Sequence, residues 1–179
     1  NHFLKITIQQ WASTGATLAA YREGLNETVL LLRFDWGHQP FAYRIVTNGL
    51  SMTGTWLHAR RYMKLFAFWP LALKPDVKSA LVISYGAGNT AVALREMPLL
   101  SSVDVVDVSR DMLELSDTIY APRENPLRDP RFRVHVEDGR FFLQTTKSTF
   151  DLITGEPPPP KMAGIGNLYS REFFGLVHD

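Results

Sequence analysis

The sequence predicts an α/β protein in which a small antiparallel β-hairpin region leads into a doubly wound parallel sheet. Three observations predict it. Hydrophobic residues make up 45% of the 179 and charged residues 21%, an ordinary globular balance. Up to Gly54 the apolar residues come in short strand-like runs broken by turn chemistry. After Lys74-Pro75-Asp76 the pattern becomes strand, loop, helix, repeated in register but not in sequence.

In the first part, Ile6-Thr7-Ile8, the run from Thr28 to Phe34 and the run from Tyr43 to Thr47 read as strands. Glu23-Gly24-Leu25-Asn26, the stretch from Asp35 to Pro40, and Asn48-Gly49 supply the turns between them. Residues 55–73 form a helical stretch that ends near Pro70, and the chain divides at 1–54, 55–76 and 77–179. Ala80-Leu81-Val82-Ile83 is a continuous apolar run, as for a parallel strand covered on both faces. It enters Gly86-Ala87-Gly88 and a helix from Thr90 to Met97. Val103 to Val108 is a second strand followed by a helix from Asp111, and Phe132 to Val136 is a third followed by a helix from Gly139. Phe150 to Thr154 is a fourth. Strands alternating with helices imply right-handed crossovers and a parallel sheet.

Composition removes several classes of function. Nineteen Lys+Arg against 18 Asp+Glu leave a net charge of +1, without the electrostatic footprint of a nucleic-acid binder. Without cysteine there is no disulfide scaffold, thiolate zinc site, iron–sulfur cluster or thiol nucleophile. His2, His38, His58, His135 and His178 lack metal-ligand spacing, and His135, in mid-strand, reads as structural. The longest apolar run, Leu65 to Leu73, contains Pro70 and falls far short of the ~20 residues of a membrane span, so it reads as core or an element end. Trp36, Trp56 and Trp69 read as core or hairpin aromatics. The chain opens without Met or a signal sequence and closes inside a helical pattern, so it reads as a piece of a longer protein.

The chemistry gathers at the ends of the parallel strands. Gly86-x-Gly88-x-x-Ala91 follows a strand and opens a helix, a context in which bare main chain can meet a nucleotide or the glycines can serve packing alone. Asp107 ends the second strand, where an acid binds a ribose diol. Asp104 lies in mid-strand on the other parity, and Asp111 reads as a helix cap. Asp138, in Glu137-Asp138-Gly139-Arg140, puts an acceptor at the third strand's end, where an adenine amino group needs one. Glu156 follows the fourth strand into the crevice where open α/β sheets bind ligands. Acids after strands two, three and four, above one glycine loop, favour a cationic sulfonium over a dinucleotide.

With Ser84-Tyr85-Gly86-Ala87-Gly88, Val105-Val106-Asp107-Val108, Val136-Glu137-Asp138-Gly139-Arg140-Phe141-Phe142-Leu143, Phe150-Asp151-Leu152-Ile153 and Leu168 to Phe174, the chain from about residue 21 onward resembles the spermidine/spermine synthase family. The bacterial spermidine synthase-like proteins, some of them fused to membrane segments, are closest in texture. The resemblance implies a methyltransferase-like sheet of order 3-2-1-4, here stopping after its fourth strand, in a cytoplasmic protein or the cytoplasmic part of a membrane-fused one. The fourth strand would then be an open edge, expected to be covered by residues beyond Asp179, by a partner or by a second copy in a homodimer. It implies aminopropyl transfer from decarboxylated S-adenosylmethionine without a metal. Gly86, Gly88 and Gly139 would line the donor, Asp107 would hold its ribose and Asp138 its adenine, while Glu156 and Tyr62 would be catalytic.

The sequence departs from the family on the acceptor side. Pro159 stands where a second diamine-gripping aspartate is expected, His58 and Ala59 replace an acidic pair, and Lys64 replaces a glutamate. A putrescine dication needs opposing carboxylates, so these departures argue against it and leave the acceptor unassigned. Two other readings stay open: a methyltransferase using intact S-adenosylmethionine, and a non-catalytic nucleoside-binding module. The basic residues His58, Arg60, Arg61 and Lys64 either line the acceptor side or form a solvated helix face.

Overall fold

The computed structural model describes residues 8–24, 27–156, 158–160 and 165–178. Strands β1 (Ala16–Glu23), β2 (Thr28–Trp36), β3 (Gln39–Thr47) and β4 (Leu50–Gly54) form an antiparallel meander in that order. The β3–β4 turn is Asn48-Gly49 with both residues left-handed (φ 51° and 81°), the type I′ geometry that matches strand twist. The apolar run of β2 is buried on both faces. Leu30, Leu32 and Phe34 pack with Ala42 and Val46 on one side, whereas Val29, Leu31 and Ile45 share a cluster with Ala87, Met112 and Leu115 on the other.

Two expectations change here. Ile8 is helical rather than extended, residues 6 and 7 lying outside the described ones, and the first strand is β1 instead. Its Ala16-Thr17-Leu18-Ala19-Ala20 has weak strand propensity and is held by pairing to β2 across a register shift between Leu18 and Ala20.

Helix α1 (Leu57–Leu73) contains Pro70, which has no N–H to give the carbonyl of Phe66. The Thr154 hydroxyl donates to that carbonyl at 2.8 Å, tying α1 to the parallel sheet just before Glu156. Ala67 is the fully buried contact of α1, while Trp69 and Leu73 lie 63% and 83% exposed on its outer side, not in the core. Among the described residues no helix is long and apolar enough to cross a membrane.

Strands β5 (Ser79–Ile83), β6 (Ser102–Asp107), β7 (Phe132–Val136) and β8 (Leu152–Gly155) are parallel in the order β7-β6-β5-β8, the expected 3-2-1-4. Between and after them run α2 (Asn89–Arg95), α3 (Arg110–Glu114), α4 (Ser116–Ile119), α5 (Gly139–Thr145) and α6 (Arg171–His178). The two-residue period of β5 sorts its side chains. Ala80 and Val82 join the cluster holding Ala91 and Leu94, and Leu81 and Ile83 join Phe142 and Phe173 on the other face. Asp104 is only 4% exposed, and its charge is met by Arg133 at 2.6 and 3.0 Å and His135 at 2.7 Å, so both it and His135 are structural.

Candidate donor site at the glycine loop

Strand β5 lies between β6 and β8, and the chain leaves it into Ser84-Tyr85-Gly86-Ala87-Gly88, at the carboxyl ends where such sheets bind ligands. The loop begins with a left-handed non-glycine residue, Ser84 (φ 67°), fixed from both sides. Its N–H donates to Val106 O at 2.9 Å and its carbonyl accepts from Glu156 N at 3.1 Å. Gly88 is also left-handed (φ 76°), and a Cβ there would lie 2.4 Å from the Tyr85 hydroxyl and 3.2 Å from the Tyr120 ring.

Asp107 ends β6 against this loop. Its Oδ2 accepts from Tyr85 N at 2.7 Å and its Oδ1 from Ser109 N at 2.8 Å. Burial pushes its pKa up, and the Ser109 and Tyr85 N–H groups oppose that rise. The carboxylate therefore braces the loop while keeping lone pairs for a further donor such as a hydroxyl.

Glu156 meets the loop from the other side. It is 6% exposed, and its Oε1 accepts from Thr90 N at 2.8 Å and from the Thr90 hydroxyl at 3.1 Å. Desolvation raises its pKa to about 7, opposed by N–H groups of Thr90, Ala87 and Asn89. Its Oε2 is buried without a hydrogen-bond partner and rests on Gly86, where a Cβ would come within 2.5 Å of it. Close approach to a carboxylate is what Gly86 permits here.

Behind the loop, Tyr85 is 1% exposed and its hydroxyl meets Ser116 Oγ at 2.6 Å. Ser116 donates onward to Asn125 Oδ1 at 2.8 Å, so the Tyr85 hydroxyl is the donor of the pair. Tyr120 covers Gly88 and donates its hydroxyl to Ala87 O at 2.6 Å. Burial raises the Tyr120 pKa, as does the charge of Glu156, while that of Arg60 lowers it.

The other candidates are placed less closely. Asp138 is exposed and caps α5, its Oδ1 accepting from Phe141 N at 2.9 Å. Gly139 fits under Ile83, where a Cβ would lie 2.5 Å from a methyl group. Tyr62 is 59% exposed, its ring edge-on to Phe66 at 5.1 Å. Of the four bases on α1, Lys64 bonds Glu96 at 2.8 Å, His58 and Arg61 are exposed, and Arg60 reaches the neighbourhood of Tyr120. Asp111 is not the cap of its helix: Ser109 Oγ accepts from Met112 N at 3.0 Å, because Ser109 holds the extended backbone of a cap and Asp111 is already inside α3. Pro157 and residues 161–164 lie outside the described residues. Sequence reasoning missed Thr90, Tyr85 and Tyr120. Only Tyr85 left a signal, a bulky residue inside a glycine motif that has to point behind it.

The family model of the spermine/spermidine synthase domain matches residues 59–179. The chain belongs to that family. Among curated relatives of this spermidine synthase-like chain, a polyamine aminopropyltransferase of Clostridium perfringens is 30% identical over 76% of the chain and 48% of the relative. Another, of Alkaliphilus oremlandii, is 29% identical over 64% of the chain and 40% of the relative. The chain thus spans about half the length of the curated relatives it matches. Among solved structures, a spermidine synthase in complex with the transition state analogue AdoDATO superposes with a TM-score of 0.73 at 19% identity, covering 90% of this chain and 54% of that one. The spermidine synthase of Thermotoga maritima gives 0.71 at 18% identity, covering 90% and 53%. These likenesses establish a shared fold: an antiparallel sheet followed by a Rossmann-like parallel sheet.

Proposed function

We propose that this chain supplies the donor half of an aminopropyltransferase site. It binds decarboxylated S-adenosylmethionine, a substrate, and exposes its propyl carbon to an amine whose identity the residues do not assign. The observation that carries the reading is the fate of the loop's N–H groups. Those of Tyr85 and Thr90 are bonded to Asp107 and Glu156, so the loop offers a ligand carboxylate lone pairs rather than free donors. A pyrophosphate would find the cradle already filled with negative charge. A sulfonium finds that charge favourable.

Asp107 holds the ribose diol with the lone pairs left over from bracing the loop, and Asp138 offers its free oxygen toward adenine. The amine nitrogen attacks the propyl carbon, the carbon–sulfur bond breaks with its electrons passing to sulfur, and methylthioadenosine leaves. The nitrogen must shed a proton. Glu156, with a pKa of about 7, is the better base for having been raised toward neutrality. Tyr62, exposed on α1, would orient the amine through its hydroxyl. A donor of this kind is a cytoplasmic metabolite, which would set the chain in the cytoplasm or on the cytoplasmic side of a membrane-fused protein.

Incubation of the full chain with decarboxylated S-adenosylmethionine and a panel of monoamines, diamines and aminocarboxylates tests the reading. Methylthioadenosine should appear in step with one amine and disappear on Asp107→Ala. Methyl transfer from intact S-adenosylmethionine would replace the reading with a methyltransferase, and nucleoside binding without turnover of any amine would replace it with a binding module.

A further inference from the structure

We propose that the chain carries a second ligand site, a cleft beside β7 that takes a small apolar α-amino acid and is coupled to the glycine loop through Tyr85. The cleft lies at the end of the parallel sheet opposite β8, between β7 and the helices α3 and α4, and has a volume of about 250 Å³. That is below the ~300–1,000 Å³ of sites for drug-sized ligands, so its occupant is small. Leu113, Leu127, Val134 and Val136 give it an apolar lining, the two valines standing 42% and 40% exposed on one face of β7. Two charges of each sign also face it, Arg110 and Arg128 against Glu114 and Asp117. Arg128 and Asp117 hold each other at 2.9 Å, whereas Arg110 and Glu114, one turn apart on α3, make no ion pair among the described residues. A lone amine or a lone carboxylate would meet attraction and repulsion together. A ligand with one charge of each sign on an apolar body satisfies both, its carboxylate at Arg110 and its ammonium at Glu114.

Behind the cleft a chain of hydrogen bonds leads to the loop. The Tyr85 hydroxyl donates to Ser116 Oγ, Ser116 to Asn125 Oδ1, and Asn125 Nδ2 to Asp117 Oδ1 at 2.7 Å. All three donors run one way because the carboxylate at the far end can only accept. Asn125 lines the cleft yet is buried, as are Ser116 and Tyr85 behind it. Buried hydrogen bonds in series polarise one another, so a ligand ammonium that draws on Asp117 is felt at Tyr85. Tyr85 in turn shapes the loop, giving its N–H to Asp107 and accepting from Gly88 N at its carbonyl.

An amide chemical-shift titration of the isotope-labelled full chain with L-leucine tests this, beside isopentylamine and isocaproate, which lack its carboxylate and its ammonium. One apolar side chain buried and two exposed ion contacts give a dissociation constant on the order of 1 mM, weakened about threefold or more for each analogue. Shifts should centre on Leu113, Leu127, Val134 and Val136, with Tyr85 and Gly88 following at the same midpoint. Arg110→Ala, on an exposed position, should bind leucine no better than isopentylamine, and Ser116→Ala should silence Tyr85 and Gly88 while the cleft still responds. No saturation by about 20 mM leucine overturns the proposal, as do analogues that bind as tightly as leucine. So do loop amides that stay still while the cleft saturates, or that still follow it in folded Ser116→Ala. The wild-type titration decides by itself should that variant not fold. No nucleoside enters the experiment, so these results leave the donor reading of the loop untouched.

Discussion

Thr90 gives both of its donors to one oxygen of Glu156, the main-chain N–H at 2.8 Å and the hydroxyl at 3.1 Å, and none to the other. The hydroxyl has a single proton and Met63 O competes for it, also at 3.1 Å, so Thr90 links α1, α2 and the residue after β8. Replacing Thr90 by Val keeps the shape and the N–H but deletes the shared proton. The expected cost is about 1 kcal/mol in chemical denaturation, with the titration of Glu156 moved to higher pH.

The pH dependence of stability should carry the signature of Glu156. Its carboxyl ordinarily titrates near 4.5 and in the folded chain near 7, so between these values the folded state holds a proton that the unfolded state has lost. Unfolding then releases a proton, and stability falls as pH rises through that window. At about 1.4 kcal/mol per pKa unit the drop is on the order of 3 kcal/mol. Denaturant midpoints measured across the window should fall for wild type and stay flatter for Glu156→Gln.

Asp107→Ala should lose nucleoside affinity and also leave the N–H groups of Tyr85 and Ser109 without their acceptor, costing about 1–3 kcal/mol. Asp107→Asn has one carbonyl oxygen for two donors. It should recover part of the stability and little of the binding, a split visible by comparing thermal unfolding with calorimetry on the same samples.

Gly155 has no room for a methyl group: a Cβ would fall 1.8 Å from Ile83 O, the main chain of the neighbouring strand. Gly155→Ala should therefore separate β5 from β8 and cost more than about 3 kcal/mol. Soluble expression and circular dichroism suffice as the readout, and a well-folded variant would contradict the pairing of Ile83 with Gly155.

Asp104 titrates low. Burial pulls its pKa up, but the bonds from Arg133 and His135 outweigh burial. A carboxyl depressed in the folded state stabilises above its unfolded pKa and loses that contribution as pH falls through the folded value. Arg133→Ala leaves the buried acid with His135 alone and should cost about 1–3 kcal/mol near neutral pH, the difference narrowing in acid.

The parallel sheet was legible because its strands are short apolar or alternating runs, each passing through a loop into a helical pattern. Ala80 to Ile83 reads as a strand covered on both faces, whereas the order 3-2-1-4 came with the family resemblance, since handedness orients a crossover without ordering the strands. The alanine-rich β1 could not be read, since what holds it is a partner strand rather than its own propensity. At the site, Asp107 and Glu156 were legible as acids at strand ends, but not the direction in which Glu156 turns. That depends on Ser84, Thr90 and Gly86, which come together only in three dimensions. The choice of Ser109 over Asp111 as cap was a contest between two good capping residues two positions apart, decided by backbone angles that no letter encodes.

Ala87 shares one apolar wall with Val29, Leu31 and Ile45, so the hairpin layer forms the back of the glycine loop. A methyl group gained or lost in β2 or β3 would be transmitted to the loop through solid contact, without crossing solvent. Descendants of this chain could reshape the loop by drift in strands outside the crevice, and a search for such change confined to the crevice would overlook it.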